Sequence, residues 1–600
     1  MFLKCNLRRK DGKDHRYWSI VESRRCAGGR VVQRPVLYLG EINDSQRESW
    51  CRTIEAFDPE RERTLPLALF PADRPLPEHA AGFGVQVRLD QMELHRPRQW
   101  GACWLACQLY EQLGLDRFWA QRLPDSREGT CWRHILQTLC CYRLIDPGSE
   151  WRLHRQWFEQ SAMGDLLGED YGLVEKNALY RTLDKLLRHK LALFSHLQER
   201  WRDLFGAKFD VLLYDLTSTY FESTPPENET DKRRFGYSRD KRPDCVQVVI
   251  ALIVTPEGFP LVYEVMPGNT ADKTTLKEFL QKIETQYGRA ERIWVMDRGI
   301  PTEKVLQQMR ESNPSISYLV GTPKGRLSKL EAQLLELSWQ NVRPGVEVKL
   351  LPQEDELYVL AQSQDRVNKE RAMRRRQLRG LWKRLTKLRQ MKLTARHLLL
   401  KLGEARGCYR AAWRLLDLEL PLAQTKGTAT FSFRLNRPKL RQARRREGRY
   451  LLRTNLCGRD PAQLWQFYVR LTEIEAAFKN LKDDLALRPI HHQLESRIEA
   501  HIFVAFIAYS MHVTLRARLR PLAGGLTARA VLEKFATIQM LDVHFPTTDG
   551  RRLILSRYTQ PEVDQRILFD QLGLTLPPQP PPRITSSGKR IDGGDPAALM

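Results

Sequence analysis

The chain has 600 residues, too many for a single hydrophobic core, and its 42% hydrophobic content is too high for a disordered polymer. Lys and Arg number 97 against 72 Asp and Glu, so the net charge is +25 and the pI near 9.7, which points to a polyanion, nucleic acid before a membrane surface. No apolar run in the sequence approaches spanning length, the longest being Ile502 to Met511, which contains Ser510.

The N-terminus, MFLKCNLRRKDGK, has no apolar core of a secretory signal. Eleven cysteines are scattered without even pairing and without a Cys/His partner at metal spacing, so they read as reduced core thiols of a cytoplasmic protein.

Residues 1–65 alternate apolar and polar in short runs around Gly28-Gly29 and are expected to form a small β unit. A Pro-rich link, Pro66 to Pro77, follows. Residues 85–205 change to helical spacing, as in Leu183, Leu186, Leu187, Leu191, Phe194 and Leu197, and predict an all-helical module whose basic residues leave two readings open, contact with DNA phosphates or a packing domain with solvated charges.

From residue 206 the pattern is strand-like. Phe209 to Asp215 predicts a strand ending at a carboxylate. Val246–Val254 and Phe259–Met266 predict a hairpin across Pro256-Glu-Gly258. A helix is expected from about Lys273 to Tyr287. Next comes a strand Arg292–Met296 ending at Asp297, a helix near Pro301–Ser312 and a strand Ile316–Val320. This order over 206–323 is that of a ribonuclease-H-like core lacking its last helix. In it the first and fourth strands lie side by side and bring Asp215 and Asp297 together at their C-terminal ends.

Residues 324–455 interrupt the core as a basic helical and β-rich insertion. Arg366 to Lys401 carries fourteen Lys/Arg and one Glu, with Leu378, Leu381, Leu385 and Leu388 at heptad spacing, which suggests an arm of a helical hairpin. Strand-like runs follow at Thr428–Phe433 and Gly448–Thr454. Arg441, Arg444, Arg445, Arg446, Arg449 and Arg453 cluster around them and favour DNA contact over a merely solvated face.

Residues 456–545 supply the missing helix. Tyr468, Glu475 and Lys482 are seven apart and fall near one face of a helix whose apolar stripe is Leu471, Ile474, Phe478, Leu481 and Leu485. A further amphipathic helix is expected from His501 to about Leu519. Residues 575–600 have the composition of a disordered tail.

Two Asp and one Glu drawn from two strands and a helix suit a two-metal phosphodiester site. Asp210, Asp244, Glu264 and Asp272 compete for those roles on position alone.

Several strings resemble bacterial insertion-sequence transposases of the DDE type. They are Leu212-Leu-Tyr-Asp215-Leu-Thr-Ser-Thr-Tyr220-Phe, Phe235-Gly-Tyr-Ser-Arg-Asp-Lys-Arg-Pro243-Asp, Pro267-Gly-Asn-Thr, Val295-Met-Asp297-Arg-Gly, Glu447-Gly-Arg-Tyr-Leu-Leu-Arg-Thr-Asn455, and Tyr468 to Phe478 with Leu481-Lys482 and Arg488-Pro-Ile-His491. The resemblance implies a catalytic triad of Asp215, Asp297 and Glu475 holding two Mg²⁺ ions, with Mn²⁺ able to substitute. It also implies that Tyr468 and Lys482 hold the DNA end near the cut; Arg298 and the Arg444-Arg445-Arg446 cluster are further candidates for DNA contact.

The family signature Tyr-x2-Arg-x3-Glu-x6-Lys is met except that Leu471 stands at the Arg position, where Arg470 is the adjacent substitute. Trp339, Trp382 and Trp413 are candidates to stack a flipped base. The implied partners are double-stranded DNA, as element inverted repeats and target, and a second copy of the chain in a synaptic complex, with no membrane. The implied activity is hydrolysis at element ends followed by transfer of the 3′-hydroxyl into target DNA. A nuclease that cuts without joining and a catalytically silent DNA-binding derivative are the alternatives.

Overall fold

The computed structural model describes residues 2–10, 13–25, 31–41, 54–58 and 63–67 as backbone, and residues 86–228, 230–270, 292–297, 301–322, 330, 333–334, 336–419, 430–522 and 525–585 with side chains. The chain forms two compact units. One comprises Met1–Arg200 with Asn480–Met600, the other Trp201–Lys479.

In the first unit, β1 (Phe2–Lys10), β2 (Lys13–Arg25) and β3 (Val31–Glu41) form an antiparallel sheet, and β4 (Ile54–Asp58) pairs with β5 (Arg63–Leu67). The Gly28-Gly29 turn and most of the Pro-rich link lie outside the described residues. β6 (Glu93–Gln99) leads into helices that include Gly101–Gln112, Trp132–Ile145 and Lys176–Leu186.

The helix Glu495–Leu519 is longer than the sequence suggested and is not amphipathic. It is buried almost all round, from Ile498 through Leu515, against the helices Trp132–Ile145 and Lys176–Leu186. A helix apolar on every side belongs inside a core or a membrane. By length and composition this one is able to span a bilayer, yet 89% of its most apolar window is buried within the protein. Phe503 and Phe506 meet Phe194 there at ring separations of 6.5 and 5.1 Å.

Strand pairing also joins distant ends of the chain in this unit, in the order β20 (Arg583–Ile584), β19 (Arg552–Tyr558), β18 (Gln539–Pro546), β6. Residues 575–585, tail-like in composition, lie along this sheet: Arg583 pairs with Ile554 and the Tyr558 hydroxyl donates to Pro577 O. Arg98, 1% exposed, is gripped by Asp542 through two bonds of 3.0 Å and by Asp165 at 2.8 Å. Burial opposes both charges of the Arg98–Asp542 pair. Hydrogen bonds from Arg98 and Ser556 still hold the Asp542 carboxyl below its usual range.

The second unit is built on a nine-stranded sheet. β7 (Val211–Phe221), β8 (Val246–Val254), β9 (Pro260–Pro267), β10 (Ile293–Met296) and β11 (Ser317–Gly321) lie in the spatial order β9-β8-β7-β10-β11. β10 runs parallel to β7 and β11, and the β7-β8-β9 meander is antiparallel. Every residue of β8 and β10 is buried, as apolar runs covered on both faces should be. Gly258 makes the β8–β9 turn with φ +94, a conformation that disfavours a Cβ. The helix expected at 273–287 lies outside the described residues, whereas the next is present as Glu303–Glu311.

The β-rich part of the insertion extends this same sheet. β12 (Gln340–Arg343), β13 (Val346–Gln353), β14 (Glu356–Ser363) and β17 (Arg449–Thr454) continue it antiparallel past β11. The separate element is helical. Gln364–Gln390 and Ala395–Cys408 form a hairpin whose core is Leu381, Leu385, Leu388, Leu398 and Leu402. The short ribbon of β15 (Leu416–Glu419) and β16 (Ser432–Leu435) covers it.

Candidate active site

β7 is longer than the sequence implied, and Asp215 is its fifth residue rather than its end. The neighbouring strand decides what is special there. β10 pairs with β7 in parallel up to Met296↔Tyr214 and then stops. One further step of that register sets Asp297 beside Asp215, on adjacent strands about 4.8 Å apart. Asp297, just past β10, is exposed; Asp215 is half-buried, and its Oδ1 accepts from the Leu216 N–H at 2.8 Å. The two carboxylates thus lie side by side where β10 ends, Asp297 just past its C-terminus and Asp215 midway along the longer β7.

The signature helix is broken into pieces. Pro461–Val469 begins on an Asp460 cap, the chain passes through Arg470, and Leu471–Lys479 follows before a π-helical turn, Asn480–Asp484. Tyr468, Glu475 and Lys482 therefore sit on three successive segments, not on one regular helix. Leu471–Lys479 packs on β7 and β8 through Leu471, Ile474, Ala477 and Phe478, leaving Glu475 exposed. Glu475 thus rides on the helix that covers the strand carrying Asp215.

Among the described residues, three groups bring possible metal-ligand atoms within 4.8 Å of one another: Glu93/His95/His544, Cys131/His134/Glu169 and Glu150/His492/His501. Asp215, Asp297 and Glu475 do not form such a closed group.

Tyr468 is half-buried and stacks on Tyr450 at 5.5 Å. Tyr450 in turn lies under Arg366 of the long basic helix and accepts from Trp465 Nε1. Arg470 reaches Pro256 O and Glu257 Oε1, each at 3.3 Å, and so ties the helix break to the β8–β9 turn. The position it would have replaced, Leu471, is buried. Lys482 is half-buried in the π-helical turn and belongs to the other compact unit. Arg298 lies outside the described residues.

In the basic cluster, Arg444 and Arg445 are exposed and Arg446 is half-buried. Arg453 is not a surface group: it is 5% exposed, bonds Glu356 at 2.6 Å and Glu303 at 2.7 Å, and joins β17 to β14 and the Glu303–Glu311 helix. Trp382 is 45% exposed at the helical hairpin, while Trp339 and Trp413 are half-buried. Asp210 is exposed before β7, Asp244 is held by Arg242 at 2.9 Å, Glu264 is half-buried on β9, and Asp272 lies outside the described residues.

Two motif strings are brought together at the far end of the meander. Gly268 N donates to Lys232 O, and the Gln247 amide donates to both Tyr237 O and Gly268 O. A Cβ on Gly236 would stand 2.1 Å from Gly268 O, so this crossing requires glycine. The loop then returns to β7, where Arg239 N donates to Ser218 Oγ. It leaves Phe235 54% and Tyr237 85% exposed. Nothing in the sequence assigns these aromatics a role; the signal that marks them is an aromatic-glycine-aromatic run beside three basic residues.

Residues 206–511, just over half of the chain, match the transposase DDE domain family. The protein belongs to that family and is a DDE transposase, an enzyme that cleaves DNA and transfers its strands. Residues 3–63 match the N-terminal domain of IS1634 family transposases, in keeping with a bacterial insertion-sequence enzyme. Among solved structures, the piggyBac transposase synaptic complex with hairpin DNA is similar to the chain at 7% identity and a TM-score of 0.33, covering 72% of this chain and 79% of that one. Among curated proteins no relative matches.

Proposed function

We propose that Asp215, Asp297 and Glu475 are the residues at which this transposase cuts element ends and joins the freed 3′-hydroxyl to target DNA. The observation that supports this is the register of β7 and β10, continued by one step to the two aspartates, with Glu475 on the helix packed against β7. Three carboxylates with solvent access are hard oxygen donors, the set Mg²⁺ takes, with room for waters and phosphate oxygens. Two divalent ions held there, Mg²⁺ or Mn²⁺, would supply Lewis acidity and a water acidified toward neutral pH.

The protein's own contribution is positional. β7 and the end of β10 carry the two aspartates, and the helix packed on β7 and β8 carries Glu475. The exposed Arg444 and Arg445, with the basic helix Gln364–Gln390, form a surface for the phosphates of double-stranded DNA. Tyr468 and Lys482 flank Glu475 in sequence and hold the element end. Two copies of the chain, one at each element end, make up the acting complex in this reading.

Alanine substitution of each carboxylate is expected to abolish Mg²⁺-dependent cleavage of an end substrate and joining of a precut end, with end binding retained. Cleavage at the parental rate by any purified variant removes that residue from the site. Cleavage without joining by the parental protein leaves a nuclease, and neither activity leaves a silent DNA-binding derivative.

A further inference from the structure

The expectation that no cysteine has a Cys/His partner at metal spacing is wrong at one place: Cys131-Trp-Arg-His134 has two residues between thiol and imidazole. In the fold these two side chains meet a third. The Cys131 sulfur, a His134 ring nitrogen and a Glu169 carboxylate oxygen all lie within 4.8 Å of one another. His134 Nδ1 and Glu169 Oε1 are 2.7 Å apart.

Each member is positioned by its own local structure. Cys131 is the residue before the helix Trp132–Ile145 and is buried, and His134 lies in the first turn of that helix. Glu169 follows Gly168, which ends the helix Met163–Leu167 in the left-handed conformation at φ +68, and the Glu169 N–H donates to Gly164 O at 2.9 Å. Asp125 precedes a tight loop that leads into Cys131: Ser126 N donates to Thr130 O, Thr130 N to Ser126 Oγ, and Gly129 turns at φ +83. Asp125 also pairs with Arg133 at 3.0 Å.

We propose that Cys131, His134 and Glu169 bind one zinc-class divalent ion, with a water in the fourth position, and that the ion staples two separate segments of the first unit. Thiolate, imidazole and carboxylate together suit a borderline-soft ion and not Mg²⁺. Zn–S near 2.3 Å and Zn–N or Zn–O near 2.0–2.2 Å put tetrahedral ligand atoms roughly 3.3–3.6 Å apart, inside the 4.8 Å within which the observed set lies.

The other two candidate groups are poorer. Glu150/His492/His501 already contains a cation, with Arg143 Nη2 3.4 Å from His501 Nδ1 and 3.8 Å from Glu150. Glu93 and His95 are exposed on the sheet surface.

The test uses the full-length protein, stripped with a chelator and titrated with Zn²⁺ and, separately, with Co²⁺. The proposal expects one tight zinc equivalent and a near-ultraviolet thiolate-to-cobalt absorption band. Glu169→Gln, nearly isosteric, should weaken zinc at least tenfold with an unchanged far-ultraviolet dichroism spectrum, and Cys131→Ser should remove the cobalt band. If Cys131→Ser does not fold, the parental cobalt spectrum and the Glu169→Gln affinity decide. Absence of a tight equivalent, parental affinity in Glu169→Gln, or a cobalt band that survives Cys131→Ser overturns the proposal.

Discussion

Replacing Asp215 by Asn separates what the carboxylate does for catalysis from what it does to the fold. Continuing the β7–β10 register sets Asp215 and Asp297 on adjacent strands, so two negative charges stand on the order of 5 Å apart. Their repulsion is about 3 kcal/mol at an effective dielectric of 20 and about 0.8 kcal/mol in bulk water. Asp297 is exposed, which puts the working figure near the lower end, about 1 kcal/mol.

Asp215→Asn keeps the shape and removes the charge. Without metal, the variant should melt higher than the parent by about 2 °C. Mg²⁺ should raise the melting temperature of the parent and leave that of the variant nearly unchanged, because the ion has lost a ligand. Cleavage of an element end should fall by more than about 100-fold. The assay is thermal unfolding with and without Mg²⁺ beside single-turnover cleavage. A variant that melts below the parent without metal, or that keeps the parental Mg²⁺ shift, refutes the reasoning, since the two aspartates would then not share a site.

Lys482→Ala should slow cleavage and joining of the element end with little change in melting temperature; a large fall in melting temperature with normal turnover per folded molecule makes the lysine structural. Neutralising Arg444 and Arg445 to Gln should flatten the dependence of log affinity on log salt by about 0.9 for each phosphate no longer neutralised, and an unchanged slope returns them to the solvated surface. His512 is buried beside Arg516 and Arg529, and burial foremost lowers its pKa to about 4. The unfolded chain therefore takes up a proton near pH 6.5 that the folded chain refuses until about pH 4, and stability should fall across that window by up to about 3 kcal/mol. His512→Leu should flatten the pH profile of unfolding, leaving the part due to His501, and an unaltered profile would show that His512 does not set it.

Strand and helix order around the site was legible in the sequence because period-2 and helical patterns are local properties. β8 and β10 are unbroken apolar runs, and the leucines at 381, 385 and 388 mark their helix at heptad spacing. Asp215, Asp297 and Glu475 could be singled out because two strand-like runs lead into a carboxylate and a third carboxylate borders an apolar helical stripe.

What depends on partners far along the chain was not legible. Whether Arg453 meets solvent or Glu356 is decided by how β14 pairs with β17, 97 residues apart at that bond. The insertion's strands join the core sheet rather than a sheet of their own because β11 offers an open edge, and no local pattern encodes an edge. The helix Glu495–Leu519 is buried on nearly every side because the helical module wraps it, although its sequence alone fits an amphipathic or even a spanning helix. Composition and periodicity thus determined the elements and the chemistry they carry, since each side chain's preference acts over one or two turns. Tertiary structure decided which charges are buried, where the signature helix breaks, and that Glu169 comes to Cys131 and His134, since those outcomes depend on long-range packing.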